Sequence, residues 1–203
     1  TVSDRKVIAL TFDAGASADG VSSILATLRS TDIEATFFLT GTWTKANPSA
    51  AHTIASTYPL GNHSLNHPHF TQLSDAEIRQ QLDSARQIIR DTTGQDPRPY
   101  FRFPFGDVSA HAISVVNGRC YVPFRWSVDT LGWKGTSGGM SAAKVTQRVV
   151  DGARPGAIIL LHVGANPDDG TTLDADALPG IIASLRKAGY SFVTLEETLP
   201  SAP

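Results

Sequence analysis

The sequence predicts an α/β domain built on parallel strands, and three observations carry that class. Short apolar runs rich in β-branched or aromatic residues recur about seven times, each is followed by a stretch with helical spacing, and no repeat or low-complexity tract breaks the alternation. At 203 residues one domain is the expected organisation, with enough chain for a sizeable core. A barrel-like sheet and an open one satisfy the pattern equally.

The strands expected, in order, are Val7 to Phe12, Ala35 to Leu39, Leu60 to Asn62, Tyr100 to Phe103, Cys120 to Ser127, Ala157 to Val163 and Ser191 to Leu195. Helices are expected over Val21 to Arg29, Ser49 to Thr57, Ser141 to Asp151 and Leu178 to Ala188. The best-marked helix begins at Ser74, whose hydroxyl caps the first turn while Glu77 completes a capping box. It runs through Ile78, Leu82, Ala85, Ile88 and Ile89 to Thr93, and Gly94 stops it. Pro200, Ser201, Ala202 and Pro203 read as an ending or the start of a linker.

Lys and Arg number 17 against 19 Asp and Glu, for a net charge of −2. That balance gives no field for gripping nucleic acid or an anionic membrane, so a neutral partner is expected. Cys120 is the only cysteine, which rules out an intramolecular disulfide; it is expected to be a buried small hydrophobe ahead of Tyr121 and Val122 rather than a nucleophile. No apolar run has the length of a membrane span. The residues after Thr1 carry no basic and apolar leader, and any such leader is expected to have been removed.

In parallel α/β folds, ligands gather at the carboxyl ends of the strands. Asp13 follows the first expected strand, His63 the third and Phe105 the fourth, while His162 sits near the end of the sixth. In Gly61, Asn62, His63, Ser64, Leu65, Asn66, His67, two imidazoles stand four residues apart, so one helical turn or a tight loop aims both at one point, as a metal requires. Such pairs also arise without a metal. Position 64 is Ser rather than Glu, unlike the H-E-x-x-H helix of metallopeptidases, and His69 is expected to be a loop residue. The run Ala9 to Gly15 reads as a buried strand delivering a carboxylate, suited to a general base or equally to a loop cap. Ile158 to His162 delivers an imidazole in the same way, although a lone histidine ending a strand is usually structural. Arg102, flanked by aromatic residues, is placed to pair with a buried carboxylate. Asp129 lies between Trp126 and Trp133, whose indole faces suit pyranose rings or the core.

Together these segments resemble the polysaccharide deacetylase family, which includes chitin deacetylases, peptidoglycan N-acetylglucosamine deacetylases and acetylxylan esterases. Five motifs stand in the family's order between Val7 and Leu195: T-F-D-A-G for T-F-D-D-G, H-S-L-N-H for H-[ST]-x-x-H, R-F-P-F for R-x-P-[FY], D-T-L-G-W for D-x-x-D-W, and L-L-H. The resemblance implies one catalytic domain over residues 1–203, folded as a distorted (β/α) barrel of about seven parallel strands. It implies a hydrolase that removes acetyl groups from a glycan with a divalent metal, usually zinc and sometimes cobalt or nickel. Asp13 would be the general base, His63 and His67 metal ligands, and His162 the general acid. Arg102 would orient Asp13, the backbone N–H of Phe105 would hold the oxyanion, and Asp129 would orient His162, with Trp133 and Leu160 also on the substrate side. The implied partner is a polysaccharide or oligosaccharide, met outside the cell by a secreted monomer that binds neither nucleic acid nor membrane.

Two positions depart from the family's pattern. Ala14 stands where the family has a second Asp that ligates the metal, and a methyl group coordinates nothing. Three readings follow. Asp19, from the loop Ala16 to Gly20, returns as the third ligand, its plain alternative being a cap on the next helix; or His63, His67, waters and substrate oxygens hold the metal; or the chain only binds glycan. The first is preferred. Gly132 replaces the second Asp of the fourth motif, and is expected to change the chemistry little while widening the groove. Segments Gly41 to Pro48, Gly132 to Met140 and Gly164 to Leu173 are poor in charge and are expected to wall an open groove. Such a groove suits chitin or chito-oligosaccharides first, acetylxylan second and peptidoglycan less well.

Overall fold

The computed structural model describes residues 5–198, and their contacts gather them into two compact units, one of residues 5–12, 16–36 and 126–198 and the other of 13–15 and 37–125. The ending expected at Pro200 to Pro203 lies outside the described residues. In chain order the elements are β1 (Val7–Ala14), α1 (Val21–Thr31), β2 (Ala35–Leu39), α2 (Gly41–Ala46), α3 (Pro48–Ala55), β3 (Leu60–Asn62), α4 (Asp75–Thr93), β4 (Tyr100–Phe101), α5 (Ala110–Asn117), β5 (Val122–Pro123), β6 (Val128–Asp129), α6 (Ala142–Gly152), β7 (Ala157–His162), α7 (Leu173–Lys187) and β8 (Ser191–Phe192).

In the first unit, β1 is buried along its whole length, which is why its sequence is a continuous apolar run rather than an alternating one. Its interior hydroxyl, Thr11, donates to the carbonyl of Ile159 at 2.6 Å, so no polar group is stranded there. Val7 lies opposite Ser191 of β8 in parallel register, and on the other side the order runs β1, β7, β6, with Val128 opposite Ile159. Helix α1 buries Val21, Ile24, Leu25 and Leu28, one face at helical spacing, and α7 packs against both α1 and α6.

The second unit runs β2, β3, β4, β5 in parallel, with Phe38 opposite Gly61, Asn62 opposite Phe101 and Tyr100 opposite Val122. Helix α4 has the ends its sequence announces. Ser74 Oγ accepts the N–H of Glu77, the Glu77 carboxylate accepts the N–H of Ser74, and Gly94 closes the helix in the left-handed conformation at φ 79°. The Ser74 hydroxyl also donates to that carboxylate at 2.7 Å, and with the Ser74 N–H at 2.8 Å it holds the Glu77 carboxyl below the ordinary carboxylate range. Ile78 and Leu82 of α4 bury against Phe70, Phe101, Phe103 and Tyr121.

Several boundaries differ from expectation. The run Cys120 to Ser127 is not one strand: β5 takes only Val122 and Pro123, whose ring removes the N–H that a longer ladder needs, and β6 forms separately. Cys120 is exposed, because the turn after α5 puts it in the left-handed region at φ 61° and passes the buried place to Tyr121. Helix α7 starts at Leu173 rather than Leu178, with Pro179 inside it instead of marking its first turn. Residues Gly41–Ala46, expected as a groove wall, are helical: Thr40 Oγ1 accepts the N–H of Trp43 at 3.1 Å, and the Trp43 ring is buried. Helix α5, unforeseen by periodicity, is capped likewise by Ser109, a bond that contributes about 1 kcal/mol.

Candidate active site

In the second unit the site begins at Asn62, the last residue of β3. Its Nδ2 donates to the Leu82 carbonyl (2.9 Å) and to Tyr121 Oη (2.8 Å), while Oδ1 accepts the N–H of Ser64 (2.8 Å). The chain then turns through Ser64 at φ 71° to His67 at φ 63°, both left-handed, and Ser64 Oγ accepts the His67 N–H at 2.9 Å. Two non-glycine residues in that region cost about 1 kcal/mol or more each, and the fixed side chains of Asn62 and Ser64 hold them there. A tight turn, not a helical one, thus brings the His63 and His67 rings to 4.7 Å between centroids.

Burial pushes the Tyr121 phenol up to about 12, against the opposing effect of the Asn62 N–H bond. A folded value above the unfolded one of about 10 means that its contribution to stability is complete below pH 10 and is lost as pH rises through 12. Urea denaturation is therefore expected to show a steeper loss of stability between pH 10 and 12 for the wild type than for Tyr121→Phe. Equal slopes would locate the alkaline sensitivity elsewhere.

Asp13 lies within β1 rather than after it, and its side chain is buried. Arg102 Nη1 donates to Asp13 Oδ1 at 2.7 Å; the arginine is 0% exposed, gives its Nε–H to the Phe124 carbonyl (3.3 Å) and lies 4.2 Å over the Phe38 ring. The pairing expected of these two residues is formed. His63 Nε2 stands 3.3 Å from Asp13 Oδ2, and its Nδ1 lies 2.9 Å from the Arg102 carbonyl. That carbonyl only accepts, so Nδ1 carries the proton of the neutral ring and Nε2 presents a lone pair. That contact is satisfied by a cation bound to Nε2 beside Asp13, or directly by a second proton on the ring. Phe105 sits in a short 3₁₀ turn at φ 58°, which turns its ring out to 58% exposure, edge-on to His67 (4.4 Å) and stacked on His69 (4.2 Å). His69 is an exposed loop residue, as expected.

The two imidazoles are the donors that a borderline divalent cation such as zinc prefers, and the Asp13 carboxylate stands beside them. Asp19, preferred as the third ligand, belongs to the first unit and not to the unit that holds His63 and His67. Asp19 is exposed and accepts the Ser17 hydroxyl; nor does it cap α1, whose N-cap is Gly20 with no side-chain bond. Ala14 is fully buried.

In the first unit His162 ends β7. Its N–H donates to Asp174 Oδ2 at 2.8 Å, and its Nδ1 lies 3.5 Å from the same oxygen. Asp174 is 3% exposed and stands in the first turn of α7, where the helix dipole favours a carboxylate. Asp129, expected to orient His162, instead accepts the Leu131 N–H on Oδ1 at 2.9 Å. It is opposite Leu160 in the β6–β7 register, and Leu160 is buried. Trp133 is 47% exposed, with the Lys134 ammonium 5.5 Å over its ring. Gly132 does not widen a groove: it is buried, and Asp174 fills the space beside it. Nor are the flanking loops loose. The Asp169 carboxylate accepts the Ser137 N–H (2.5 Å) and the hydroxyls of Thr136 (2.9 Å) and Thr171 (2.6 Å), which ties segment 132–140 to 164–173. Those bonds, the Ser137 N–H first, hold its carboxyl far below the ordinary range. Sequence reasoning missed Asp174. Its signal was the pair Asp174 and Asp176, which marks a helical first turn.

The sequence matches the family described as polysaccharide deacetylase over residues 2–119. The peptidoglycan-N-acetylglucosamine deacetylase of Bacillus cereus is 32% identical over 193 residues, covering 95% of this chain and 68% of that protein. The chitooligosaccharide deacetylase of Azorhizobium caulinodans is 29% identical over 201 residues, covering 95% and 94%. Wild-type BA3943 of Bacillus anthracis, described as a CE4 family pseudoenzyme, has a crystal structure that matches this one with a TM-score of 0.87 at 31% identity, over 98% of this chain and 66% of that one. This likeness bears out the α/β fold with parallel strands that the motifs imply. Five motifs in order, the Asp13–Arg102 pair and a family match over more than half the residues have one explanation: the chain belongs to the polysaccharide deacetylase family.

Proposed function

We propose that the chain removes the acetyl group from N-acetylglucosamine units of a β-1,4-linked glycan, with chito-oligosaccharides as first substrate and the O-acetyl groups of acetylxylan as second. The observation that supports it is the buried Asp13 carboxylate, gripped by Arg102 on one oxygen and facing the lone pair of His63 on the other. In this reading His63 and His67 hold a divalent cation, zinc first and cobalt or nickel next. Such an ion supplies Lewis acidity for the acetyl carbonyl and acidifies water near neutral pH. Asp13 takes the proton of the attacking water, and Arg102 keeps that carboxylate ionised and aimed. The Phe105 N–H serves as a donor to the developing oxyanion. His162 protonates the leaving amine, without which the tetrahedral species returns to reactant. Two relatives named for deacetylating glycans fit this reading, as does the near-zero charge of the chain, which suits a neutral polymer met outside the cell by a monomer.

A second reading, glycan binding without turnover, draws on the buried Ala14 methyl at a ligand position and on a relative described as a pseudoenzyme. Acetate release from N-acetylated chito-oligosaccharides by chelator-stripped protein, with and without zinc, cobalt or nickel, separates the two. Release restored by metal is the expected result. Glycan binding with no release under any of the three metals would establish the second reading.

A further inference from the structure

We propose that Asp174, supplied by α7, is the positioning residue for the His162 imidazole, and that Gly132 is glycine in order to leave it room. This rests on His162 acting as the acid of the proposed reaction. Three observations carry it. Asp174 is a nearly fully buried carboxylate, and the groups its Oδ2 meets are the N–H of His162 (2.8 Å) and the Nδ1 of the same residue (3.5 Å). A buried carboxylate held by one N–H is costly unless positive charge stands by it; the first turn of α7 supplies part of that, and the His162 ring, once protonated at this distance, would supply the rest. Asp129, the other acid near the end of β6, has its carboxylate turned to the Leu131 N–H.

Gly132 is the third observation. Its φ lies outside the left-handed region, so the backbone does not require glycine. The requirement is space: a Cβ there would collide with Asp174 Oδ1 and lie 2.5 Å from its Cγ. That oxygen has no hydrogen-bond partner among the described residues, and it faces the missing side chain. A carboxylate on residue 132 and the carboxylate of Asp174 therefore exclude each other, and one place behind His162 is filled from α7 instead of from the turn after β6.

The alternative is that Asp174 merely ties the start of α7 to the end of β7 through the His162 N–H. Asp174→Asn separates the two roles, because the amide oxygen still accepts that N–H while the charge is gone. In proton NMR, with the His162 signal assigned by its loss in His162→Gln, the imidazole of folded Asp174→Asn is expected to titrate at least about 1 pH unit lower than in the wild type. Turnover of a chito-oligosaccharide is expected to fall about tenfold or more, with the acidic partner of its pH profile moved the same way. Gly132→Asp alone is expected to destabilise the protein by collision, whereas Gly132→Asp with Asp174→Ala should return both the titration and the rate toward wild type. An unmoved His162 titration in folded Asp174→Asn would overturn the proposal. The titration needs no activity, so a wild-type protein that releases no acetate would overturn the proposed reaction and leave this result readable.

Discussion

Arg102→Met is expected to lower the free energy of unfolding by about 3–5 kcal/mol, the cost of removing one partner of a buried ion pair. The guanidinium is fully buried; it donates to Asp13 at 2.7 Å and to the Phe124 carbonyl at 3.3 Å, and it rests on the Phe38 ring. Methionine restores most of the volume and none of the charge, so Asp13 keeps its burial and loses its guanidinium. Arg102→Lys should fall between the two, since an ammonium is a point charge without the planar fork that serves Asp13 and Phe124 together. The instructive comparison is Arg102→Met with Asp13→Asn, measured by urea denaturation. If the uncompensated carboxylate is the cost, neutralising it recovers much of the loss. A double variant as unstable as Arg102→Met would show instead that packing of the guanidinium against Phe38 and Phe124 carries the stability.

How far the fold and site were legible depends on whether the deciding interaction is local. Helix α4 was readable to the residue because both its ends are set by side chains within a few positions: Ser74 with Glu77, and Gly94. Strand β1 was readable from its unbroken apolar run, and so was the delivery of Asp13, although the strand carries the aspartate within it. The pairing of Asp13 with Arg102 is distant in the chain, and the family's motifs, not periodicity, made it legible. Where a tertiary choice decides, the sequence was silent. Cys120 and Tyr121 are adjacent, and a left-handed turn at the cysteine decided which of them is buried. The choice between Asp129 and Asp174 as neighbour of His162 was hidden in the same way. Placing the start of α7 at Leu178 left Asp174 in a loop, and nothing local to Gly132 says that a carboxylate from another element fills its space. Segment 164–173 read as an open wall because its polar residues suggested solvent; they are turned instead onto Asn166 and Asp169.

Asp13→Asn is expected to reduce acetate release by about 10²–10⁴-fold, the range that a positioned general base contributes. Asparagine keeps the shape and an oxygen for the Arg102 Nη1 donor, so the geometry at that oxygen has a substitute, but no group remains there to take a proton from water. Some loss of stability accompanies it, because Arg102 stays buried with its charge unpaired, and turnover must be compared at a temperature where circular dichroism shows both proteins folded. Metal content and glycan affinity provide the second control: a lost base leaves both, whereas collapse of the His63 and His67 turn removes the metal. Because hydroxide can replace an absent base, the residual rate of the variant should climb with pH across a range in which the wild-type rate is level. A variant within tenfold of wild type, folded and metal-loaded, would remove Asp13 from the reaction and leave the Asp13–Arg102 pair as an element of the fold alone.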